Sequence, residues 1–210
     1  MAQSLIYRYS WIYELVMMLL YRRQYGVRRQ VIADILTDGS SVLDLCCGPA
    51  LFYKRFMEPR GIRYTGVDIS PRFIAELKAV GAEGEVIDLR QDCILPTADY
   101  VIMHASLYHF LPDSDRMFRK MLKAANEYVI ISEPIRNLAS RDSKLLRFIV
   151  AHMTNPGYGQ QADRFDEESL DRFFSSYKDR LVNSFIAAGG REKVYVFQAW
   201  DFPAELPEVG

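Results

Sequence analysis

The sequence has little cysteine, little histidine, no long apolar run and no excess of charge of either sign. The cysteines are Cys46, Cys47 and Cys93, an odd and sparse set. Such usage argues against a disulfide-stapled scaffold and points to a reduced, cytoplasmic compartment. Two of the three are adjacent and no second pair follows, so the ligand spacing of a zinc site is missing and no metal is expected. The longest apolar run, Leu15 to Leu20, is far shorter than the ~20 residues needed to cross a bilayer, so no stable membrane insertion is expected. The N-terminal apolar stretch follows Arg8 and contains Glu14, unlike a secretory signal. Lys and Arg number 26 against 27 Asp and Glu, which gives no general electrostatic reason to bind nucleic acid or an anionic membrane. Internal repeats and low-complexity segments are also missing. The oligomeric state is open.

What is present is an ordinary globular composition in 210 residues, enough for one domain with a sizeable core. No linker interrupts it, so 1–210 reads as a single domain. Residues 1–38 read as an N-terminal helical cap: Leu5, Tyr9, Ile12, Val16 and Leu19 recur at helical spacing, then Val27, Val31, Ile32, Ile35 and Leu36. Gly26 is the expected break between the two helices. Arg22, Arg23, Arg28 and Arg29 cluster there, which reads as a solvated face at a helix end, or as a lid or a patch for an acidic acceptor or lipid head group.

Strands and helices then alternate. Strands are predicted at Ser41 to Leu45, Tyr64 to Ile69, Gly84 to Leu89, Tyr100 to His104 and Glu127 to Ser132. Helices fall between them. One spans Leu51 to Met57 and is closed by Pro59 and Gly61, one is started by Ser70-Pro71 and stopped at Gly81, and one is capped by Asp113 or Ser114. Residues 137–165 break the rhythm, with a helix over Lys144 to Met153 and a loop around Asn155-Pro156-Gly157; they read as an acceptor-side insertion. A helix over Phe165 to Tyr177 follows. Val182 to Ala187 and Lys193 to Ala199, joined through Gly189-Gly190, read as a hairpin. The sum is an α/β, Rossmann-like, seven-stranded and mostly parallel sheet. It has a C-terminal antiparallel hairpin, helices on both faces and extra N-terminal helices.

In such sheets ligands sit at the carboxyl ends of the strands, where strand order reverses. Asp44, Asp68 and Asp88 fall at the ends of three successive strands. Asp68 lies about twenty residues beyond the loop Cys46-Cys47-Gly48-Pro49-Ala50, where an acid grips a ribose diol. The other reading of Asp68 is an acid that serves the helix start that follows, and Asp44 could simply stabilise the turn. A dinucleotide would want Gly-x-Gly-x-x-Gly. Here Pro49 has no amide to donate and Leu51 falls where the third glycine belongs, which argues against NAD or FAD.

The ordered set "VLDLCCGPA", "GVDIS", "VIDL", "ADYVIMHASLYHF" and "YVIISEP" resembles a class I S-adenosylmethionine (SAM)-dependent methyltransferase of small-molecule type, over about Val31 to Ala199. The family's first motif is an acid followed by three alternate glycines. Asp44 matches the acid and Gly48 the middle glycine, while Cys46 and Ala50 replace the other two with small residues. The resemblance implies SAM as cofactor and S-adenosylhomocysteine (SAH) as product. It implies that Asp44 holds the methionine ammonium and that Cys46, Cys47, Gly48 and Ala50 line that moiety and the ribose. Asp68 would bind the ribose hydroxyls and Ile69 pack on the adenine, Asp88 and the Leu89 amide would read the adenine edge, and His104 would pass near the sulfonium. A nucleophilic Cys47 has no triad-like pattern behind it.

Methyl transfer is an in-line displacement at carbon, so alignment and water exclusion are the protein's main tasks. An oxygen or nitrogen acceptor can also need a base. His109 is the first candidate, then His104; His152 lies in the insertion. Each could instead be a satisfied structural histidine. Glu133 could orient the acceptor or cap a loop. Tyr158, Gln160 and Arg164 fall in the acceptor-side segment. Tyr7, Tyr9, Trp11 and Tyr13 fit docking of the first helix on the sheet, or else an aromatic or lipid-like small molecule. The alternative function is a SAM/SAH-binding module or partner subunit without catalysis. A nucleic-acid methyltransferase lacks the Asn-Pro-Pro-Tyr type of motif after strand four.

Overall fold

The strands predicted from the sequence carry apolar residues on both faces, as strands covered on two sides must. The computed structural model describes residues 18, 24–135 and 164–199. It builds one sheet of order β3-β2-β1-β4-β5-β7-β6. The strands are β1 Ser41–Leu45, β2 Arg63–Asp68, β3 Glu83–Val86, β4 Ala98–His104, β5 Ala125–Pro134, β6 Leu181–Ala187 and β7 Glu192–Gln198. The first five pair in parallel, and β7 runs antiparallel between β5 and β6. Strand order reverses between β1 and β4, and the cleft described below opens at their carboxyl ends.

Side-chain parity sorts the core into two layers. Leu43 and Leu45 of β1, Val101 and Met103 of β4, Val129 and Ile131 of β5, and Tyr195 and Phe197 of β7 face one side. Helices α3 (Ser114–Ala124) and α4 (Glu167–Phe174) cover it. Phe118 of α3 is fully buried there, with ring centroids of Phe174, Tyr177 and Phe197 within 4.7–5.0 Å. Burying such a side chain stabilises the fold by roughly 1.5–3 kcal/mol. Val42, Ile102, Ile130, Val194 and Val196 face the opposite side, against Ile32 and Ala33 of α1 (Gln24–Ala33) and Leu77 of α2 (Pro71–Ala79). That parity also puts Asp44, His104, Ser132 and Glu192 on the α1 side and Glu133 on the α3 side.

Most predicted elements stand, with local differences. Ser70 caps α2 by accepting from the Phe73 amide, and Pro71 occupies its first turn. Helix α4 starts at a reciprocal capping box between Asp166 and Ser169. The helix expected over Leu51 to Met57 is a π-helical turn at Tyr53–Met57, followed by a 3₁₀ turn at Glu58–Arg60 that closes at left-handed Gly61. Asp113 precedes α3 but makes no capping bond, and the Ser114 hydroxyl donates to the Leu107 carbonyl instead. Strand β3 ends at Val86, so Asp88 lies in the loop beyond it. Gly26 does not break a helix: it sits in the first turn of α1. Glycine costs a helix about 1 kcal/mol, and the burial of Tyr25, Arg28, Ile32 and Ala33 outweighs that. Nor is Arg28 on a solvated face, since it is only 3% exposed.

Several expectations lie outside the described residues: most of the first helix with its aromatics, Arg22, Arg23, the helix over Lys144 to Met153, His152, Tyr158 and Gln160. Among the described residues no helix is long and apolar enough to cross a membrane.

Candidate active site

The turn after β1 must reverse the chain within a few residues at the mouth of the sheet. Cys46 and Gly48 do this with positive φ angles of 60° and 62°. Only glycine adopts that region without steric cost, so Gly48 fits its place and Cys46 is held there under strain. The Cys47 amide donates to the Val67 carbonyl at 3.1 Å, tying the turn to β2. A Cβ on Gly66 of β2 would lie 2.8 Å from Cys47 Sγ and 2.4 Å from Leu77 Cδ2. The Cys47 side chain therefore packs over a bare strand position. Burial, then the nearby aspartates, pushes both thiols well above their ordinary range. These are packed thiols, not activated thiolates.

The acids converge on this turn. The Asp68 carboxylate accepts from the Gly48 amide at 3.0 Å and from the Ser70 amide at 2.8 Å, joining the β1 turn to the start of α2. Burial raises its pKa against the pull of those amides. Asp44 accepts from the Tyr64 hydroxyl at 2.5 Å. Burial pushes Asp44 up to about 7, while the Tyr64 bond and the Arg29 charge pull it back. Asp88 accepts from the Arg90 amide at 3.1 Å and stands beside buried Leu89.

These groups line one cleft of about 1200 Å³, counted to its open mouth. Of the residues expected at the cofactor, Asp44, Cys46, Cys47, Gly48, Asp68, Ile69, Asp88, Leu89 and His104 line it. Ala50 is not in the lining and packs against the core beneath α1.

The loop after β4 forms the other wall, with Ser106, Tyr108 and His109 in the lining. Glu133 does not line the cleft. It is fully buried, and its Oε1 accepts from the Ser106 and Leu107 amides at 2.7 and 2.6 Å. Burial pushes it up to about 8, against those two bonds. In this geometry Glu133 caps the loop that carries Tyr108 and His109. The His109 ring lies 4.0 Å from that of Tyr108, over which the Arg164 guanidinium sits at 4.5 Å. Burial, then Arg164 and Arg90, pulls His109 down to about 4. It is neutral at pH 7.

Two charged residues complete the site: Glu192, which the sequence did not single out, and Arg28, which it offered only within an arginine cluster read as a solvated face, a lid or a patch for an acidic acceptor or lipid head group. Arg28 of α1 lines the cleft, and its Nη2 pairs with Glu192 Oε1 of β7 at 2.6 Å. Arg28 Nε donates to His104 Nε2 at 3.1 Å, and the Ser132 hydroxyl donates to Glu192 Oε2 at 3.1 Å. Burial alone would raise Glu192, but the charges of Arg28 and His104 hold it at about 2. Burial and Arg28 pull His104 down to about 4. A signal for both existed: Tyr25, Arg28 and Ile32 follow one helical stripe, and Glu192 shares strand parity with Val194 and Val196.

A sheet of this order, with strand-end acids and a tight small-residue turn at the switch point, defines a Rossmann-like nucleotide-cofactor fold of the class I methyltransferase type. A family model described as "Methyltransferase domain" matches residues 19–177. The chain belongs to that family of SAM-dependent methyltransferases. No curated protein matches the sequence. Among solved structures, the magnesium protoporphyrin IX methyltransferase of Synechocystis PCC 6803 with bound SAH is similar at 16% identity and TM-score 0.60, over 86% of this chain and 83% of that one. An O-methyltransferase family 2 protein of Planctomyces limnophilus in complex with apigenin is similar at 17% identity and TM-score 0.60, over 89% and 60%. A structure described as "Complex between the Haloferax volcanii Trm112 methyltransferase activator and the putative methyltransferase" is similar at 12% identity and TM-score 0.65, over 95% and 99%. The residues present fit SAM: a left-handed turn without bulky side chains, and a carboxylate beside each of the three strand ends facing the cleft.

Proposed function

We propose that this chain methylates a small-molecule acceptor, with the cofactor along β1 to β3 and the acceptor against the loop after β4. The observation that carries the reading is one cleft with the Asp44, Gly48 and Asp68 turn on one wall and Tyr108 and His109 on the other. Bound SAM supplies a methyl group on a sulfonium, which leaves readily as a neutral thioether. The protein's residues bind and orient. Asp44 holds the methionine ammonium, and Asp68 holds the ribose hydroxyls with the lone pairs its two amide bonds leave. Ile69 packs on the adenine, and Asp88 and the Leu89 amide read its edge. His109, neutral at pH 7, has a lone pair with which to take an acceptor proton. Glu133 fixes the loop on which His109 stands. Balanced charge and the small molecules named for two of the similar structures support a small-molecule acceptor. Residues 137–165 are proposed to shape its pocket.

Calorimetric titration with SAH, and with NADH in parallel, tests the cofactor reading. The expected result is micromolar binding of SAH alone. Asp68→Ala, checked for folding by circular dichroism, is expected to weaken SAH by roughly ten- to a hundredfold, the worth of hydrogen bonds to a charged group. Unchanged affinity would sink the assigned binding mode. A second reading, a SAM/SAH-binding module or partner subunit, draws on the strained non-glycine Cys46 in the turn and on the activator-bound neighbour. Turnover of any acceptor above the uncatalysed rate would dismiss it.

A further inference from the structure

Strand register brings His104, Ser132 and Glu192 together beneath α1. His104 pairs with Ser132 across β4 and β5, and Pro134 pairs with Glu192 across β5 and β7. Arg28 descends on them from α1. The His104 side chain is 13% exposed, that of Arg28 4%, and Glu192 none. One ring nitrogen has two claimants. His104 Nε2 lies 3.1 Å from Arg28 Nε and 3.1 Å from Glu192 Oε2. It can accept from the arginine or donate to the glutamate, not both.

The arginine decides. Its Nε–H is always a donor, whereas a carboxylate has other donors to turn to. A proton on Nε2 would set two N–H groups face to face in a buried site. Glu192 has other partners than that proton: the Ser132 hydroxyl donates to Oε2 at 3.1 Å, and Oε1, which accepts no hydrogen bond among the described residues, is neutralised by the Arg28 charge with Nη2 at 2.6 Å. Nε2 and Oε2 then stand 3.1 Å apart as two acceptors, each with its own donor, the Arg28 Nε–H on one and the Ser132 hydroxyl on the other. A doubly protonated ring would add a buried positive charge next to Arg28 and Arg29, and burial with those charges outweighs the pull of Glu192. The proton therefore belongs on Nδ1, which has no hydrogen-bond partner among the described residues, in a ring that lines the cleft.

We propose that Arg28, locked in place by Glu192, is a positioning residue that fixes His104 as its Nδ1–H tautomer. His104 then meets a bound molecule as a hydrogen-bond donor to an oxygen or nitrogen lone pair, not as a base. Within the methyl-transfer reading, on which this last step rests, the base role falls away from His104 and stays with His109.

The test is a long-range ¹H–¹⁵N correlation spectrum of the cofactor-free, uniformly labelled protein at pH 7, with His104→Gln used to assign the ring. The expected spectrum shows protonated Nδ1 and bare Nε2. A protonated Nε2, alone or with Nδ1, overturns the proposal, and this wild-type result needs no variant to fold. Arg28→Met is expected to invert the tautomer, with Nε2–H donating to Glu192, and to move the titration midpoint from about 4 towards 6.5. Arg28→Lys keeps the charge but not the planar fork, and serves if the methionine variant does not fold; a mixture of tautomers is expected. An unchanged Nδ1–H pattern in the variants overturns the role given to Arg28. Because no cofactor is present, these outcomes are separate from the SAH titration: a bare Nε2 without SAH binding would keep the tautomer and reject the cofactor.

Discussion

Cys46 holds a backbone conformation that disfavours every side chain, at φ 60°. The strain is on the order of 1–2 kcal/mol. It is offset partly by packing of Cys46 against the core under the turn. Cys46→Ala loses the sulfur and keeps the strain, whereas Cys46→Gly loses the sulfur and relieves it. Urea denaturation is expected to rank the glycine variant about 1 kcal/mol above the alanine variant, and the reverse order would mean that the turn relaxes. Asp44 makes a pH prediction of its own. With its pKa near 7 in the ligand-free protein, it is half protonated at neutral pH, and an ammonium ligand selects the ionised form. SAH affinity is therefore expected to rise with pH up to about 7 and level off above it, with proton release visible as a buffer dependence of the binding heat. The Tyr64 hydroxyl donates to that carboxylate and favours its ionised form. Tyr64→Phe should then weaken SAH more at pH 7 than at pH 8.5; an equal loss at both would remove Tyr64 from the proton balance.

At the scale of elements, the close approach of α2 to the sheet depends on bare strand positions. A Cβ on Gly66 would meet Leu77 at 2.4 Å and Cys47 at 2.8 Å, both in packed surroundings. Gly66→Ala is expected to cost about 2 kcal/mol in denaturant unfolding, the usual scale of overpacking, and a neutral result would show that α2 shifts freely. The sequence exposed the parts of this architecture that rest on local chemistry. Ser70-Pro71 starts α2 by its own side chains, and the strands announce themselves by β-branched and aromatic runs. The hairpin through Gly189-Gly190 was readable for the same reason: both glycines take positive φ. What stayed hidden depends on register between distant segments. Arg28 and Glu192 lie near opposite ends of the chain and each looks like a surface charge alone; only the docking of α1 over β7 pairs them. Glu133 was half legible: the sequence offers it as a strand-end acid that orients an acceptor or caps a loop, and the path of the β4 loop, which brings two amides onto it, favours the cap. Ala50 differs in the opposite way: its place in the motif puts it at the cleft, while the turn leaves it half-buried against the core beneath α1.

The whole molecule carries opposing proton affinities, and their balance sets where the fold is most stable. Asp44 and Glu133 are raised by burial, from 3.8 to about 7 and from 4.5 to about 8. An acid raised on folding stabilises the fold fully below its unfolded pKa, and that contribution is lost as pH climbs through the folded value. His104 and His109 are lowered from 6.5 to about 4, so the folded state binds fewer protons than the unfolded one and stability is lost as pH falls through that window. Glu192, lowered from 4.5 to about 2, loses its contribution as pH falls through those values. Between pH 4.5 and 6.5 the raised acids, Asp68 among them, and the two lowered histidines act in opposite directions and flatten the stability curve. Above 6.5 only the acids act, and stability declines until about pH 8. Below 4.5 Glu192 takes over, with exposed carboxylates such as Asp115 and Asp171 adding to the loss. The optimum of the ligand-free protein is therefore expected on the acid side of neutrality, below the pH at which Asp44 is ready for an ammonium. Bound SAH offsets that mismatch by mass action, binding the folded state alone. Urea midpoints at pH 3.5, 5.5 and 8.5 check the shape, with the highest expected at 5.5. Glu133→Gln separates the alkaline limb from the rest: it keeps a carbonyl for the Ser106 and Leu107 amides and removes the ionisation. Its midpoint is expected to fall less than that of the wild type between pH 5.5 and 8.5, and an equal fall would assign the alkaline limb to other groups.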